Sequence, residues 1–266
     1  MTHQPHRKRA LITGASSGFG ATFARRLAAQ GYDLVLVARR KDRLDQLSKE
    51  LSEAHGATAE VIEADLTNDE GVSAVEERLR AGDVDMLVNS AGFGTNGAFV
   101  DLPLDREVEE IDLNVRALTR LTRAALGPMT QRGSGAIINI ASTAAFQPLP
   151  YMATYAATKA YVLSFSEALH DEVRDKGVTV TALCPGPVKT EFQQVAGVDA
   201  DRVPGIVWVD PEKVVDQALA AVRARRASTV PGMINSLGAV TAKFAPRFLS
   251  RRIASAWFKR TYAGGR

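Results

Sequence analysis

The stretch RALITGASSGFG, residues 9–20, runs from a short apolar segment through a glycine-rich turn into a helical pattern. Its glycines, Gly14, Gly18 and Gly20, are spaced G-x-x-x-G-x-G. Glycine permits a tight turn and close approach of a ligand to the backbone. The helix that follows presents free N–H groups and the positive end of its dipole, a natural seat for a pyrophosphate. Any strand-to-helix corner can use such a turn, so the spacing alone is weak. Here it stands at the first strand–helix junction with a full βαβ unit behind it, which is the setting of a dinucleotide site. Gly14, Ser16, Ser17, Gly18, Phe19 and Gly20 are therefore the candidate cofactor-loop residues.

Outward from that turn, short apolar runs alternate with longer helical patterns. Residues 9–13, 33–38, 59–64, 85–89, 135–140, 178–183 and 228–231 read as strands. Several are apolar on both faces, as strands covered by helices on two sides should be. Helical patterns fill 18–30, 41–55, 69–81, 105–130, 154–176 and 211–226. The alternation predicts an α/β fold, a doubly wound parallel sheet of about seven strands with helices on both faces, in one domain. That domain spans 9–231, after a flexible N-terminus at 1–8 and before a basic amphipathic extension at 232–266. The longest break, 185–211, is the candidate substrate lid, since long loops in compact domains are usually functional.

Charge is unevenly placed. The net of +3 conceals a C-terminal segment that, after Asp216, has ten Lys and Arg and no acidic residue. No run approaches the ~20 apolar residues of a membrane-spanning helix, and the first residues lack a secretory apolar core. The single cysteine, Cys184, excludes an intrachain disulfide and a cysteine metal cluster, and His3, His6, His55 and His170 are scattered. A cytoplasmic setting with no metal site is expected. Within the basic segment, Leu249, Ile253 and Trp257 recur every fourth residue among Arg251, Arg252, Lys259 and Arg260. Residues 244–260 suit packing on protein first, with a peripheral contact with an anionic membrane as the alternative.

The end of the second strand bears on the cofactor's charge. An acid there would hold the ribose hydroxyl of NAD, whereas arginine accommodates the 2′-phosphate of NADP. The sequence reads LVLVARRK, placing Ala38 where the acid would be and Arg39 and Arg40 after it. A purely solvated basic helix start would be disfavoured by the dipole. NADP(H) is the expected cofactor.

Downstream, YAATKAY (155–161) sets Tyr155 and Lys159 on one helical face. A phenol titrates near ~10, and a cation about 4–6 Å away lowers that by roughly 1–3 pH units. Such a pair acts as general acid in ketone reduction and general base in alcohol oxidation. By itself Y-x-x-x-K is common. Ser142, at the end of the run GAIINIAST, adds a hydroxyl where open α/β sheets expose ligand-binding groups.

With those residues in place the chain from about Arg9 to Pro231 resembles the short-chain dehydrogenase/reductase family, in its branch of single-domain Rossmann-fold chains. TGASSGFG resembles the family's cofactor loop, and Asp65 with Leu66 the pair that contacts adenine. NSAG, with Asn89, Ala91 and Gly92, resembles the family's N-N-A-G, with Ser90 departing from it. Asn114 matches the asparagine that anchors a proton-relay water, and Ser142, Tyr155 and Lys159 the other catalytic positions. PGPVKT, with Pro185, Gly186, Val188 and Thr190, resembles the loop around the nicotinamide. The resemblance implies an NADPH-dependent carbonyl reductase in which Lys159 holds the ribose and lowers the Tyr155 pKa. It also implies a homodimer or homotetramer built through the helices at 105–130 and 154–176.

The candidate pocket residues Phe93, Phe146, Pro148, Met152, Phe192 and Trp208 are apolar and suit a lipophilic ketone: a 3-oxoacyl, steroid or retinoid-like carbonyl. Trp208 can equally pin the loop to the body. Nucleic acid is not an expected partner. Two other readings stay open, an NADP-binding regulator without turnover and an NAD-linked epimerase or dehydratase on a related scaffold.

Overall fold

The structure, a computed structural model, describes residues 7–188, 191–192, 196, 205, 208–232, 235–237 and 252. Seven strands form one sheet: β1 (Arg9–Thr13), β2 (Asp33–Ala38), β3 (Ala59–Glu63), β4 (Met86–Asn89), β5 (Gly135–Ile140), β6 (Val178–Leu183) and β7 (Ser228–Thr229). Their order is β3-β2-β1-β4-β5-β6-β7 and every neighbouring pair is parallel. The order reverses between β1 and β4. Ligands of open α/β sheets bind in the crevice outside the carboxyl ends of the strands at such a switch point.

Strand pleat divides the core in two. Ile12, Leu36, Val88, Ile138 and Leu183 point to one face and pack with Phe23, Leu27, Leu44 and Val214. Leu11, Val35, Leu87, Ile137 and Val180 point to the other, with Val72, Leu79, Leu121 and Met129. The first face is covered by α1 (Gly18–Ala29), α2 (Lys41–His55) and α7 (Pro211–Arg223), the second by α3 (Asp69–Arg80) and α5 (Leu118–Arg132). Two apolar faces explain why the strands read as continuous hydrophobic runs.

Helix ends follow local chemistry. Asn68 caps α3 by accepting from the Gly71 N–H at 2.9 Å, and Asp69 and Glu70 complement its dipole. Asp210 caps α7 ahead of Pro211. By contrast α2 opens at Arg40 with no side-chain cap and a basic residue next.

The expected single helix at 105–130 is not continuous. It divides into α4 (Leu104–Ile111), a π-helical segment (Asp112–Ala117) and α5. Wider turns of this kind cost backbone geometry and cluster at functional sites. Asn114 lies inside this one. Among the described residues no helix is long and apolar enough to cross a membrane.

Candidate active site

On the cofactor side, Gly14 adopts φ 67°, and a Cβ there would stand 2.9 Å from the Ala91 backbone. The two turns are tied by Thr13, whose Oγ1 accepts from the N–H groups of Ser90 and Ala91, each at 3.0 Å. The departure at Ser90 therefore leaves this bond intact. A methyl at Gly20 would collide with the Gly14 carbonyl. Ser17 enters α1 in extended conformation without capping it, so first-turn N–H groups remain for a ligand or solvent. Phe19 packs on the first core face.

Arg40 binds this loop directly. Its guanidinium reaches Ser16 Oγ at 3.0 Å, Ser17 Oγ at 2.9 Å and Glu191 Oε2 at 2.9 Å. Arg43 takes the other Glu191 oxygen at 2.6 Å. Together Arg43 and Arg40 hold the Glu191 carboxyl down at about 2. An anion thus already sits on the arginines. Arg39 is mostly exposed and faces Asp65 at 3.7 Å. Asp65 accepts from Thr67 N–H and hydroxyl at 3.0 and 2.8 Å, while Leu66 is buried in the second core face.

The nicotinamide side is drawn from α6 (Ala153–Val173) and the end of β5. Ser142 stands near enough to the Tyr155 phenol to oppose the rise in its pKa, and the Ser142 oxygen accepts from the Ala144 N–H at 3.1 Å. Burial pushes Tyr155 up to about 12, with Ser142 opposing and the Glu110 charge adding to the rise. Burial draws Lys159 down to about 8, against the pull of Glu110 and Cys184. Lys159 Nζ donates to the Ile140 carbonyl at 2.8 Å and stands 5.7 Å from the Tyr155 ring centroid. Lys159 is not among the groups that act on the Tyr155 pKa in this arrangement. Spacing put both residues on one face, but the Ile140 carbonyl takes the ammonium and burial dominates. At about 12, the Tyr155 phenol stays protonated at neutral pH.

Asn114 is buried and holds the loop after β4. Its Oδ1 accepts from the Phe93 N–H at 3.2 Å, and its Nδ2 donates to the Phe93 carbonyl at 2.8 Å and reaches Thr158 Oγ1 at 3.2 Å. A Cβ at Gly92 would lie 2.8 Å from Asn114 Oδ1 and 3.6 Å from Lys159 Nζ. Glycine there keeps the space between them open. The Asn89 amide donates to Thr122 Oγ1 and Asn139 Oδ1 inside the sheet–helix layer, so its side chain braces β4 to β5.

Of the pocket candidates, Phe192 packs its ring 5.3 Å from that of Tyr155, and Met152 joins Leu149, Ala144 and Ala156 beside Tyr151 and Tyr155. Phe93 turns its ring under the Arg106 guanidinium, 3.8 Å away. Phe146 packs against the cluster that holds Val162 and Cys184, Pro148 is exposed, and Trp208 is half-buried with its backbone N–H donating to the Gly205 carbonyl. Pro185 accepts the Thr143 N–H, Gly186 faces Asn235, and Val188 is buried. Thr190 lies outside the described residues, as does 244–260 apart from Arg252. Cys184, buried and pushed up to about 12, is an inert thiol.

Three residues escaped the sequence reading. Tyr151 holds φ 68°, rare for a bulky side chain, and its carbonyl takes the Gly97 N–H at 2.9 Å. No sequence signal marks it. Glu107 and Glu110 are buried acids on α4, legible only as the residues seven and four before Asn114 on the inward face.

The glycines whose side chains would fill the crevice and the basic start of α2 fit a nicotinamide dinucleotide. Residues 8–200 match the model of the short chain dehydrogenase family. The very-long-chain 3-oxoacyl-CoA reductase of Bos taurus is 32% identical over 92% of this chain and 78% of its own. A short-chain dehydrogenase from Sphingobium yanoikuyae, solved with NADPH, is 41% identical over 85% of this chain and 88% of its own, at TM-score 0.81. The bulky-bulky ketone specific alcohol dehydrogenase of Comamonas testosteroni is 35% identical over 97% of this chain and 96% of its own, at TM-score 0.77. The chain belongs to the short-chain dehydrogenase family and is an NAD(P)-binding oxidoreductase of carbonyl and alcohol groups.

Proposed function

We propose that the protein is an NADPH-dependent reductase of bulky, lipophilic ketones in which Tyr155 is the proton donor. The observation that carries this reading is the gathering of Ser142, Tyr155 and Lys159 at the carboxyl edge of the sheet, with Lys159 Nζ 5.7 Å from the Tyr155 ring centroid and donating to the Ile140 carbonyl at the end of β5. A bound nicotinamide supplies the hydride. Ser142 orients and polarises the substrate oxygen, and Tyr155 gives that oxygen its proton. By the resemblance, Lys159 holds the ribose hydroxyls, and Asn114 shares the Gly92 space with it.

Preference for the phosphorylated cofactor is supported by Arg40, which gathers Ser16, Ser17 and a carboxylate. The apolar wall of Leu149, Met152 and Phe192 beside Tyr155 supports a lipophilic substrate. So do the substrates named for the bovine and Comamonas relatives. Phe99, Leu104, Val108 and Ile111 expose an apolar face along α4, which supports an oligomer built through it.

The test is titration with NADPH and NADH, then NADPH oxidation with ketones of increasing chain length. NADPH should bind tighter and turnover should rise with chain length. Tyr155→Phe should lose about 100-fold or more in kcat, the scale of general acid catalysis, with NADPH affinity kept. Normal turnover by that variant overturns the assignment.

A further inference from the structure

Glu110 is fully buried, one helical turn before Asn114. Its Oε2 accepts from the Thr95 N–H at 3.0 Å and the Thr95 hydroxyl at 2.9 Å, while Oε1 has no hydrogen-bond partner among the described residues. Glu107, nearly a turn earlier, is also buried, takes a short hydrogen bond from Thr154 and likewise leaves Oε1 without a partner among the described residues. Thr154 directly precedes Tyr155. The loop between Phe93, held by Asn114, and Thr95, held by Glu110, contains Gly94. A Cβ on Gly94 would lie 2.8 Å from Tyr155 Cδ2. The helix α4 therefore shapes the wall behind the Tyr155 ring with two acids whose oxygens are half-satisfied.

Burying a carboxylate beside a like charge is costly, and nothing in the hydride-transfer scheme uses this one. The titratable groups that bear on it are Glu107 on its own helix and Tyr155 and Lys159 on α6. Cys184, at the end of β6, bears on Lys159 and stays a thiol.

We propose that Glu110 is a positioning residue that sets the acidity of the Tyr155–Lys159 pair. Ionised, it keeps Lys159 cationic and Tyr155 protonated, which favours carbonyl reduction; protonated, it releases both. Burial and Glu107 push its own pKa up to about 7 against the hydrogen bonds from Thr95, so the change falls in the working pH range. The proposal rests on Tyr155 being the acid–base group.

The test is the pH dependence of kcat/KM in both directions. For Glu110→Gln, the rising alkaline limb of alcohol oxidation should move down by about 1 pH unit, roughly a 10-fold gain on that limb. The alkaline loss of ketone reduction should move down with it as Lys159 discharges earlier. Thr95→Val removes a hydrogen bond that favours the ionised carboxylate. It should move the oxidation limb the same way, by less, between about pH 6 and 8. A merely structural Glu110 would lower kcat with both profiles unmoved, and that result overturns the proposal. Should Glu110→Gln fail to fold by circular dichroism, an unmoved Thr95→Val profile overturns it alone. Tyr155→Phe separates the two readings. If that variant is active, the site assignment itself fails; if it is inactive and the Glu110→Gln profile is unmoved, only this proposal does.

Discussion

Glu191 and Glu110 are the same side chain in two regions of one crevice. At the cofactor mouth, Glu191 meets two guanidinium groups in reach of water and is held at about 2. Behind the catalytic pair, Glu110 meets another carboxylate, partial hydrogen bonding and no water-exposed surface, and rises to about 7. The signs of their linkage to folding are opposite. With a folded pKa above the unfolded value of about 4.5, Glu110 burdens the fold as pH rises from there through about 7. With its folded pKa below that value, Glu191 contributes stability present at neutral pH and lost as pH falls through about 2. Under the two proposals above, the arginine mouth recognises a charge and the wall behind Tyr155 regulates one.

Sterics draw the same line. Gly20 has backbone on its open side, since a Cβ would strike the Gly14 carbonyl, and backbone cannot swing away. Overpacking typically costs ~1–3 kcal/mol, and Gly20→Ala should reach the upper end. That is a fall in Tm of about 6–12 °C for a chain of this size. NADPH binding should be lost with it. A thermal melt and a fluorescence titration check this. A variant that melts and binds like wild type would erase the difference between the regions.

Gly94 instead faces side chains, Tyr155 Cδ2 at 2.8 Å and Phe192 Cζ at 3.2 Å from a built Cβ. Rings can move where a carbonyl cannot, so Gly94→Ala should fold and keep NADPH affinity within about twofold. The displaced Tyr155 ring would shift away from Ser142, and misplacement on the ångström scale costs up to ~100-fold. A 10-fold or greater drop in kcat with unchanged cofactor binding is expected. Loss of binding in place of turnover would mean that the cofactor region extends under Tyr155.

Legibility in the sequence follows the same division. Glycines at a first βα turn and runs apolar on two faces carry their geometry in residue type, so the sheet and cofactor loop were readable from RALITGASSGFG outward. Tyr155 and Lys159 were placed on one face by spacing, but spacing says nothing of rotamer, and Lys159 aims at the Ile140 carbonyl. The pattern EVEEIDLN reads as a charged helix surface, because acids are almost never fully buried. Two of its glutamates nevertheless point inward, and the π segment that carries Asn114 has no residue signature. Asn89 was read by motif as a cofactor contact, whereas its amide finds nearer partners in Thr122 and Asn139.

The smallest effect belongs to Glu191. Its carboxylate occupies Arg40 and Arg43, so an incoming 2′-phosphate must displace it. The pairs are half-exposed, and exposed ion pairs are worth about 0–1 kcal/mol. Glu191→Gln should therefore tighten NADPH by no more than about fivefold and leave NADH unchanged, since only the phosphate competes for the guanidinium groups. Glu191 is ionised at every pH above its value of about 2, so the gain should be flat from pH 6 to 9 and should shrink as salt screens the arginines. Isothermal titration of both cofactors at two ionic strengths measures it. Weaker NADPH binding would mean that Glu191 orients the arginines for the phosphate, and a gain that varies with pH would remove the contrast with Glu110.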